Sequence, residues 1–260
     1  MDIIRDYLEL VKKQMFTDLQ DPFSDKSLTD FLSGKSKMIR SALAILYLKS
    51  INAELSDNIY KLLAAGELIH NASLLHDDVI DDAQTRRGEQ VFYRKFNPKI
   101  SILTGDFLVS RAVDKLIKIN NIEIIRDFEL CIKNMAEAEI KQYSLRGSIP
   151  TREEYLEICE GKTACLFSTI MKCSAMIAGV ETSEAEKFGK IFGIVFQIKD
   201  DLSENSAIID AKNGIKTVKD IFGIENTLTL LDNYKSNLKE ILNAISDNEY
   251  KRVLEELIDG

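Results

Sequence analysis

The chain is poor in residues that break helices. Its 260 residues include 3 Pro, standing apart at positions 22, 98 and 150, and 12 Gly. With long Leu/Ile/Ala/Lys/Glu stretches between them, this scarcity excludes a turn-rich fold and favours an all-α protein. Histidine is scarcer still. His70 and His76 both precede the first acidic run, which leaves no ligand set for a structural zinc site. The cysteines Cys131, Cys159, Cys165 and Cys173 lack CxxC spacing and sit in apolar helical contexts, so they read as reduced core residues. There is no hydrophobic run of transmembrane length, and Met1-Asp2-Ile3-Ile4-Arg5-Asp6 is charged from its start, unlike a signal peptide. The expectation is a cytoplasmic protein without a membrane span. A net charge of −8 counts against nucleic acid as the main partner.

What is present suffices for one sizeable core, since 45% of the residues are hydrophobic. No repeat, low-complexity tract or linker divides the chain, so 1–260 reads as a single domain. Periodicity predicts helices at about 2–20, 37–51, 55–82, 98–119, 121–145, 151–159, 162–180, 183–204, 226–244 and 247–258. Residues 83–97 and 205–225 read as loops, and Asn97-Pro98 and Ile149-Pro150 mark breaks. Segments 60–75 and 187–198 are apolar nearly all round, which suits helices at the centre of a bundle.

The most informative stretch is His76-Asp77-Asp78-Val79-Ile80-Asp81-Asp82, followed by Arg86-Arg87-Gly88. Asp77 and Asp81 are four apart, as are Asp78 and Asp82, so each pair shares a helix face. Like charges at that spacing repel, Asp is a poor helix former, and carboxylates at a helix C-terminus oppose its dipole. Together these effects cost roughly 2–3 kcal/mol unless something neutralises the charge. A second set, Asp200-Asp201-Leu202-Ser203-Glu204, ends the other apolar helix. Two acidic helix ends facing each other across a bundle would hold several divalent cations and a polyanion. Mg²⁺ takes six oxygens and keeps several waters, so one or two carboxylates per ion, completed by substrate phosphate, suit these spacings. The bland alternative is a solvated acidic face. A di-iron site fails on ligand count: Glu67-x-x-His70 matches one ExxH element, but Ser73 stands three before His76, so the second is missing.

Basic residues that a polyanion needs accompany the acidic runs: Lys37 and Arg40, Arg86 and Arg87, and Lys162 beside Thr163. In order and spacing the chain resembles the trans-isoprenyl diphosphate synthase (polyprenyl synthase) family. The resemblance runs from about residue 33 to 230. It rests on Gly34-Lys35-Ser36-Lys37-Met38-Ile39-Arg40, on residues 67–82 with Arg86-Arg87-Gly88, and on Gly105-Asp106-Phe107-Leu108. It continues through Gln142, Lys162-Thr163 and Phe196-Gln197-Ile198-Lys199-Asp200-Asp201.

The resemblance implies a helical bundle of the isoprenoid synthase type around a central apolar cavity, a homodimer, and three Mg²⁺ ions. It implies head-to-tail joining of an allylic diphosphate to isopentenyl diphosphate, giving a trans-polyprenyl diphosphate. By the family pattern Asp77, Asp81 and Asp200 hold the ions, and Asp78, Asp82, Asp201 and Glu204 are inner or supporting ligands. Arg86, Lys162 and a lysine after the second motif, Lys216 in preference to Lys219, contact the allylic diphosphate. Lys37, Arg40, His70 and Arg87 bind the diphosphate of isopentenyl diphosphate. The carbonyl of Lys162 or the hydroxyl of Thr163, with Gln197, lies near the carbocation.

Positions five and four before Asp77 are the small residues Ala72 and Ser73, where short-chain members usually carry a bulky aromatic. This points to geranylgeranyl or longer products, with Phe128 either a deeper floor or an ordinary core residue. The chain departs from the family pattern at Glu204 (usually Asp), at Ser36 and Ser41 (commonly Gly and Pro), and in the segments 215–220 and 227–229, which lack the usual Gly and Pro. It also ends about two helices after Thr227. These departures motivate a second reading, a weakly catalytic or non-catalytic subunit of a heteromeric prenyl synthase. A terpene cyclase is a third, disfavoured by the isopentenyl-site cations.

Overall fold

The computed structural model describes residues 2–23, 26–34, 37–86, 89–203 and 213–260, excepting the side chains of Arg86 and Glu89. A 3-10 turn, Asp2–Ile4, leads into α1 (Arg5–Phe16), followed by α2 (Ser27–Ser33), α3 (Ile39–Ser50) and α4 (Asp57–Ile80). Strands β1 (Thr85–Arg86) and β2 (Glu89–Gln90) pair antiparallel, Thr85 opposite Gln90. Then come α5 (Phe92–Lys95), α6 (Pro98–Ile119), α7 (Ile122–Ser144) and α8 (Arg152–Cys159). A π-helical turn, Glu160–Ala164, joins α8 to α9 (Cys165–Ala178). The chain continues through α10 (Thr182–Leu202), α11 (Val218–Phe222), α12 (Ile224–Asn243) and α13 (Glu249–Asp259). Apart from the two-residue strands, the described residues form an all-α fold. No described helix is long and apolar enough to cross a membrane.

Local chemistry sets the helix ends. Pro98 opens α6, and the Asn97 side chain accepts from the Ile100 N–H at 2.9 Å. Thr151 and Glu154 cap α8 reciprocally, at 2.8 and 3.1 Å. The expected helices agree with these elements to within a few residues. Three short helices lie outside the expectation: α2, α5 and α11, with 7, 4 and 5 residues. About two turns or fewer show too little periodicity to stand out. The expected break near 160 is instead the π turn, which lets α8 and α9 run on.

The chain forms two compact units, Met1–Ile45 with Leu55–Ile125 and Leu46–Glu54 with Arg126–Gly260. In the first, α4 is the spine, and α1 and α6 pack on it. Leu62, Leu63, Leu68, Ile69 and Leu75 of α4 are buried with Leu108, Ala112 and Leu116 of α6. Each of these Leu and Ile side chains contributes about 1.5–3 kcal/mol when fully buried. Polar ties set the register. Ser101 Oγ donates to the Leu75 carbonyl at 2.9 Å, and buried Glu67 accepts from Ser41 N–H at 3.2 Å and Oγ at 2.8 Å. A proline at 41 could make neither bond to Glu67.

In the second unit α9 and α10 pair closely, and α12 lies against α10. Phe167, Phe188, Phe192, Ile198, Leu238 and Leu242 are buried there. Gly193 permits the close approach. A Cβ at that position would stand 2.5 Å from Ala164 Cα and 2.8 Å from Ala164 Cβ. Bare backbone on α10 therefore rests directly on the π turn.

Candidate active site

The first acidic run is sorted by the way α4 ends. Asp77 and Asp78 lie in its last turn, and Asp81 caps it with φ −92° and ψ 1°. Asp82 follows in the left-handed region at φ 48°. The Ala83 N–H reaches the Asp78 carbonyl at 3.0 Å and the Asp82 N–H the Val79 carbonyl at 3.4 Å. This is a Schellman closure with Asp at the position glycine usually takes, and Asp is among the few residues that enter that region readily.

The turn sends the four carboxylates to different fates. Asp78 is 1% exposed. Asp82 accepts from the Tyr93 hydroxyl at 2.8 Å and from Arg94 at 3.2 Å. Asp77 and Asp81 remain partly exposed, one helical turn apart. On the Asp78/Asp82 pair, the expected repulsion is relieved at Asp82 by Tyr93 and Arg94.

His76 is fastened to α6. Its Nε2 lies 3.2 Å from the Ile102 carbonyl and 3.4 Å from Asp106 Oδ1. A Cβ on Gly105 would fall 2.2 Å from that nitrogen, so glycine is what lets the imidazole lie on the helix. Of the cations expected to meet isopentenyl diphosphate, Lys37 is exposed, Arg40 is buried at 7% exposure, and His70 is half-buried on α4. Arg86 lies in β1, while Arg87 lies outside the described residues. Ala72 is buried on α4 and Ser73 half-buried beside it.

The second unit carries the other motif. Asp200 is exposed in the last turn of α10, and Asp201 is buried. Asp201 Oδ2 accepts from the Tyr155 hydroxyl and Oδ1 from the Gln197 amide, both at 2.7 Å. The Thr163 hydroxyl donates to Gln197 Oε1 at 2.6 Å. Burial pushes the Asp201 carboxyl up, opposed by the bonds from Tyr155, Gln197 and the Val218 N–H. The Tyr155 phenol is also raised, chiefly by burial. Thr163 and Lys162 both sit in the π turn, a distortion that recurs at functional sites. Lys162 Nζ donates to Gln142 Oε1 at 2.8 Å and pairs with Glu139.

The two candidate phosphate lysines separate. Lys219 Nζ donates to the Leu202 carbonyl at 3.1 Å, capping α10. Lys216 is exposed. Glu204 lies outside the described residues. Phe128 is fully buried in this unit. Among the described residues, no group of three or more His, Cys, Asp or Glu side chains is already gathered as a metal site.

Sequence reasoning missed Tyr155, Tyr93, Arg94 and the Ser41–Glu67 tie. Tyr155 left one usable signal: it stands seven residues, two helical turns, before Lys162. The others depend on contacts that no local spacing reveals.

Comparison with known proteins agrees with this picture. Residues 21–259 match the family described as Polyprenyl synthetase. A prenyl transferase of Cyanidium caldarium is 30% identical over 250 residues, covering 88% of this chain and 77% of the relative. Octaprenyl diphosphate synthase of Escherichia coli is 33% identical over 181 residues, covering 68% of this chain but only 55% of the relative. The fold is similar to a heptaprenyl diphosphate synthase of Staphylococcus aureus, with a TM-score of 0.89 at 21% identity over 98% of this chain and 96% of that one. It is also similar to a decaprenyl diphosphate synthase of Rhodobacter capsulatus, with a TM-score of 0.90 at 21% identity over 99% and 96%. With the family match covering nearly all of its length, the chain belongs to the polyprenyl synthetase family.

Proposed function

We propose that the protein is a trans-polyprenyl diphosphate synthase that joins an allylic diphosphate head-to-tail with isopentenyl diphosphate. One observation carries the reading: both acidic helix ends split their carboxylates in the same way. Asp77, Asp81 and Asp200 are at least partly exposed, while Asp78 and Asp201 are buried. Asp82 is exposed as well, but Tyr93 and Arg94 hold it. Exposed carboxylates serve as ligands, and buried or tethered ones hold the geometry behind them, which suits a site that works on a charged substrate.

The donor set fits magnesium, being all carboxylate oxygen with one or two groups per ion. Asp77, Asp81 and Asp200 would hold it, with Glu204 as a further carboxylate, and three ions is the number that the family resemblance implies. Bound there, magnesium supplies Lewis-acid stabilisation of the departing diphosphate. Asp78, Asp82 and Asp201 support from behind.

The chain's own cations do the rest of the binding. Arg86, Lys162 and Lys216 take the allylic diphosphate. Lys37, Arg40, His70 and Arg87 take the second. Two diphosphates repel strongly even at an effective dielectric of about 20, so this screening lets them approach. The allylic C–O bond breaks, the isopentenyl double bond attacks the resulting cation, and a proton is lost. By the family pattern the Thr163 hydroxyl or the Lys162 carbonyl, with Gln197, would lie near the cation, a fixed field that needs no reorganisation during the reaction. The departing diphosphate takes the proton.

Small side chains at Ala72 and Ser73 support a product of geranylgeranyl length or longer. The two compact units would act as one catalytic domain, in a cytoplasmic homodimer. Exposed Leu103, Val113 and Ile117 on one face of α6 favour self-association.

The test is incorporation of labelled isopentenyl diphosphate by the purified protein alone, with Mg²⁺ and an allylic starter. Turnover is expected in the wild type and should be abolished in Asp77→Ala. In His70→Ala the KM for isopentenyl diphosphate should rise more than that for the allylic partner. No incorporation by the wild-type protein alone would favour the heteromeric-subunit reading. A near-normal rate in Asp77→Ala would exclude the metal assignment.

A further inference from the structure

The bonds behind Thr163 form one line. Tyr155 O–H donates to Asp201 Oδ2, Asp201 Oδ1 accepts from Gln197 Nε2, and Gln197 Oε1 accepts from Thr163 Oγ1, at 2.7, 2.7 and 2.6 Å. Three helical segments contribute: α8, the π turn and α10. We propose that Tyr155 is a positioning residue that, through Asp201, decides which end of the Gln197 amide faces Thr163. The inference rests on the proposed function for its catalytic consequence, but not for its geometry.

A glutamine amide presents two opposite ends, a carbonyl that accepts and an NH₂ that donates, and a half-turn of its terminal torsion exchanges them. A carboxylate only accepts, so the end beside Asp201 must be the NH₂. The carbonyl is thereby turned to the π turn, where it takes the Thr163 proton. With that proton directed at Gln197, the lone pairs of Thr163 are left for the reacting cation.

In place of the carbonyl, an exchanged amide would aim an N–H at Thr163. Its hydroxyl would then accept from Gln197, and partial positive charge would stand where a cation develops. The orientation of one amide therefore sets the sign of the local field.

Asp201 can impose this choice only if its own carboxylate plane is held. Tyr155 provides the side-chain hold on Oδ2, opposite the oxygen that meets Gln197, and the Val218 N–H is the backbone donor to the same carboxyl. The phenol is 5% exposed, and its ring meets Phe222 edge-on with centroids 5.8 Å apart. Its place is therefore fixed by packing rather than by the bond it makes. Tyr155→Phe keeps that packing and removes only the hydroxyl, after which the carboxylate keeps the Val218 N–H but loses its side-chain hold, and the amide can exchange.

The experiment pairs kinetics with side-chain amide NMR, because nitrogen and oxygen of an amide look alike to X-rays. The Gln197 NH₂ signal is assigned by its loss in Gln197→Ala. It should be shifted and protected from solvent exchange in the wild type, and lose both properties in Tyr155→Phe. For activity, Tyr155→Phe should lower kcat about tenfold or more with little change in either KM, as expected when the reacting geometry is loosened while both substrates still bind.

In a Gln197→Ala background the same substitution should cost no further rate, because the group it positions is gone. A Gln197 amide unchanged in Tyr155→Phe overturns the proposal, and so does an equal loss of rate in both backgrounds. An inactive wild type with the amide signal responding as expected would instead refute the proposed function and leave the positioning role standing.

Discussion

Gly193→Ala tests how Thr163 and Gln197 are brought together. The added Cβ would lie 2.5 Å from Ala164 Cα, 2.8 Å from its Cβ and 3.2 Å from Phe167 Cδ2. Carbon atoms rest at about 3.5–4.0 Å, so α10 and the π turn must part by about 1 Å. The nearest atom belongs to backbone, which cannot rotate aside. Gln197 stands one turn beyond Gly193 on the same face. Its 2.6 Å contact with Thr163 should therefore stretch toward about 3.6 Å, too long for a hydrogen bond.

Overpacking costs about 1–3 kcal/mol, and alanine returns about 1 kcal/mol of helix propensity. The net loss is about 0–2 kcal/mol, or a fall of a few degrees in Tm. The rate should suffer more, by about 10- to 100-fold in kcat. Gly189→Ala is the control. Its Cβ would meet Met171 Cγ at 2.7 Å and the Phe167 carbonyl at 2.8 Å, one turn farther from Gln197. It should lose comparable stability and less rate. A Gly193→Ala enzyme with wild-type kcat would refute the argument that this close approach sets the Thr163–Gln197 contact.

Ala72 is 1% exposed on the helix below Asp77, and Ala72→Phe should shorten the product chain, read by chromatography of dephosphorylated products; an unchanged profile would disprove the proposed route for the growing tail. Lys216→Ala should raise the KM for the allylic diphosphate, whereas Lys219→Ala should lower stability in urea unfolding by about 0.5–1.5 kcal/mol through loss of its bond to the Leu202 carbonyl; the reverse pattern would exchange their roles. Ser41→Ala should cost about 1–3 kcal/mol, because a buried carboxylate loses its hydroxyl donor, and urea unfolding checks it. Glu154 is held below its ordinary 4.5, chiefly by the Thr151 backbone N–H. A depressed carboxyl contributes stability above its unfolded value and loses it as pH falls through the folded one. Glu154→Gln should therefore show a smaller drop in urea midpoint between neutral pH and the acid side of 4.5 than the wild type, and equal drops would refute the cap's contribution.

Much of the fold was legible because its causes are local. The long helices announce themselves by apolar periodicity, and Pro98 with Asn97 begins α6 where the spacing predicts. The acidic runs were legible as a site because their charge density opposes helix stability unless something else compensates it. The Lys162–Thr163 pair was visible only as a motif. The π turn that holds it was not, since one extra residue in a helix leaves almost no trace in periodicity.

Sequence by itself determined the all-α class, the two acidic helix ends and the polar residues available to them. The spacing of four from Asp77 to Asp81 and from Asp200 to Glu204 is a property of the chain and needs no partner to be read. Tertiary structure decided the division of labour among those residues. Asp78 and Asp201 were buried, the second with Tyr155 and Gln197 against it; Asp82 was tied to Tyr93 and Arg94 while still exposed, and Lys219 to the end of α10; Asp77, Asp81, Asp200 and Lys216 kept exposed surface. Identical side chains a few residues apart have the same intrinsic chemistry. Only burial and the donors that packing brings against them distinguish one from its neighbour.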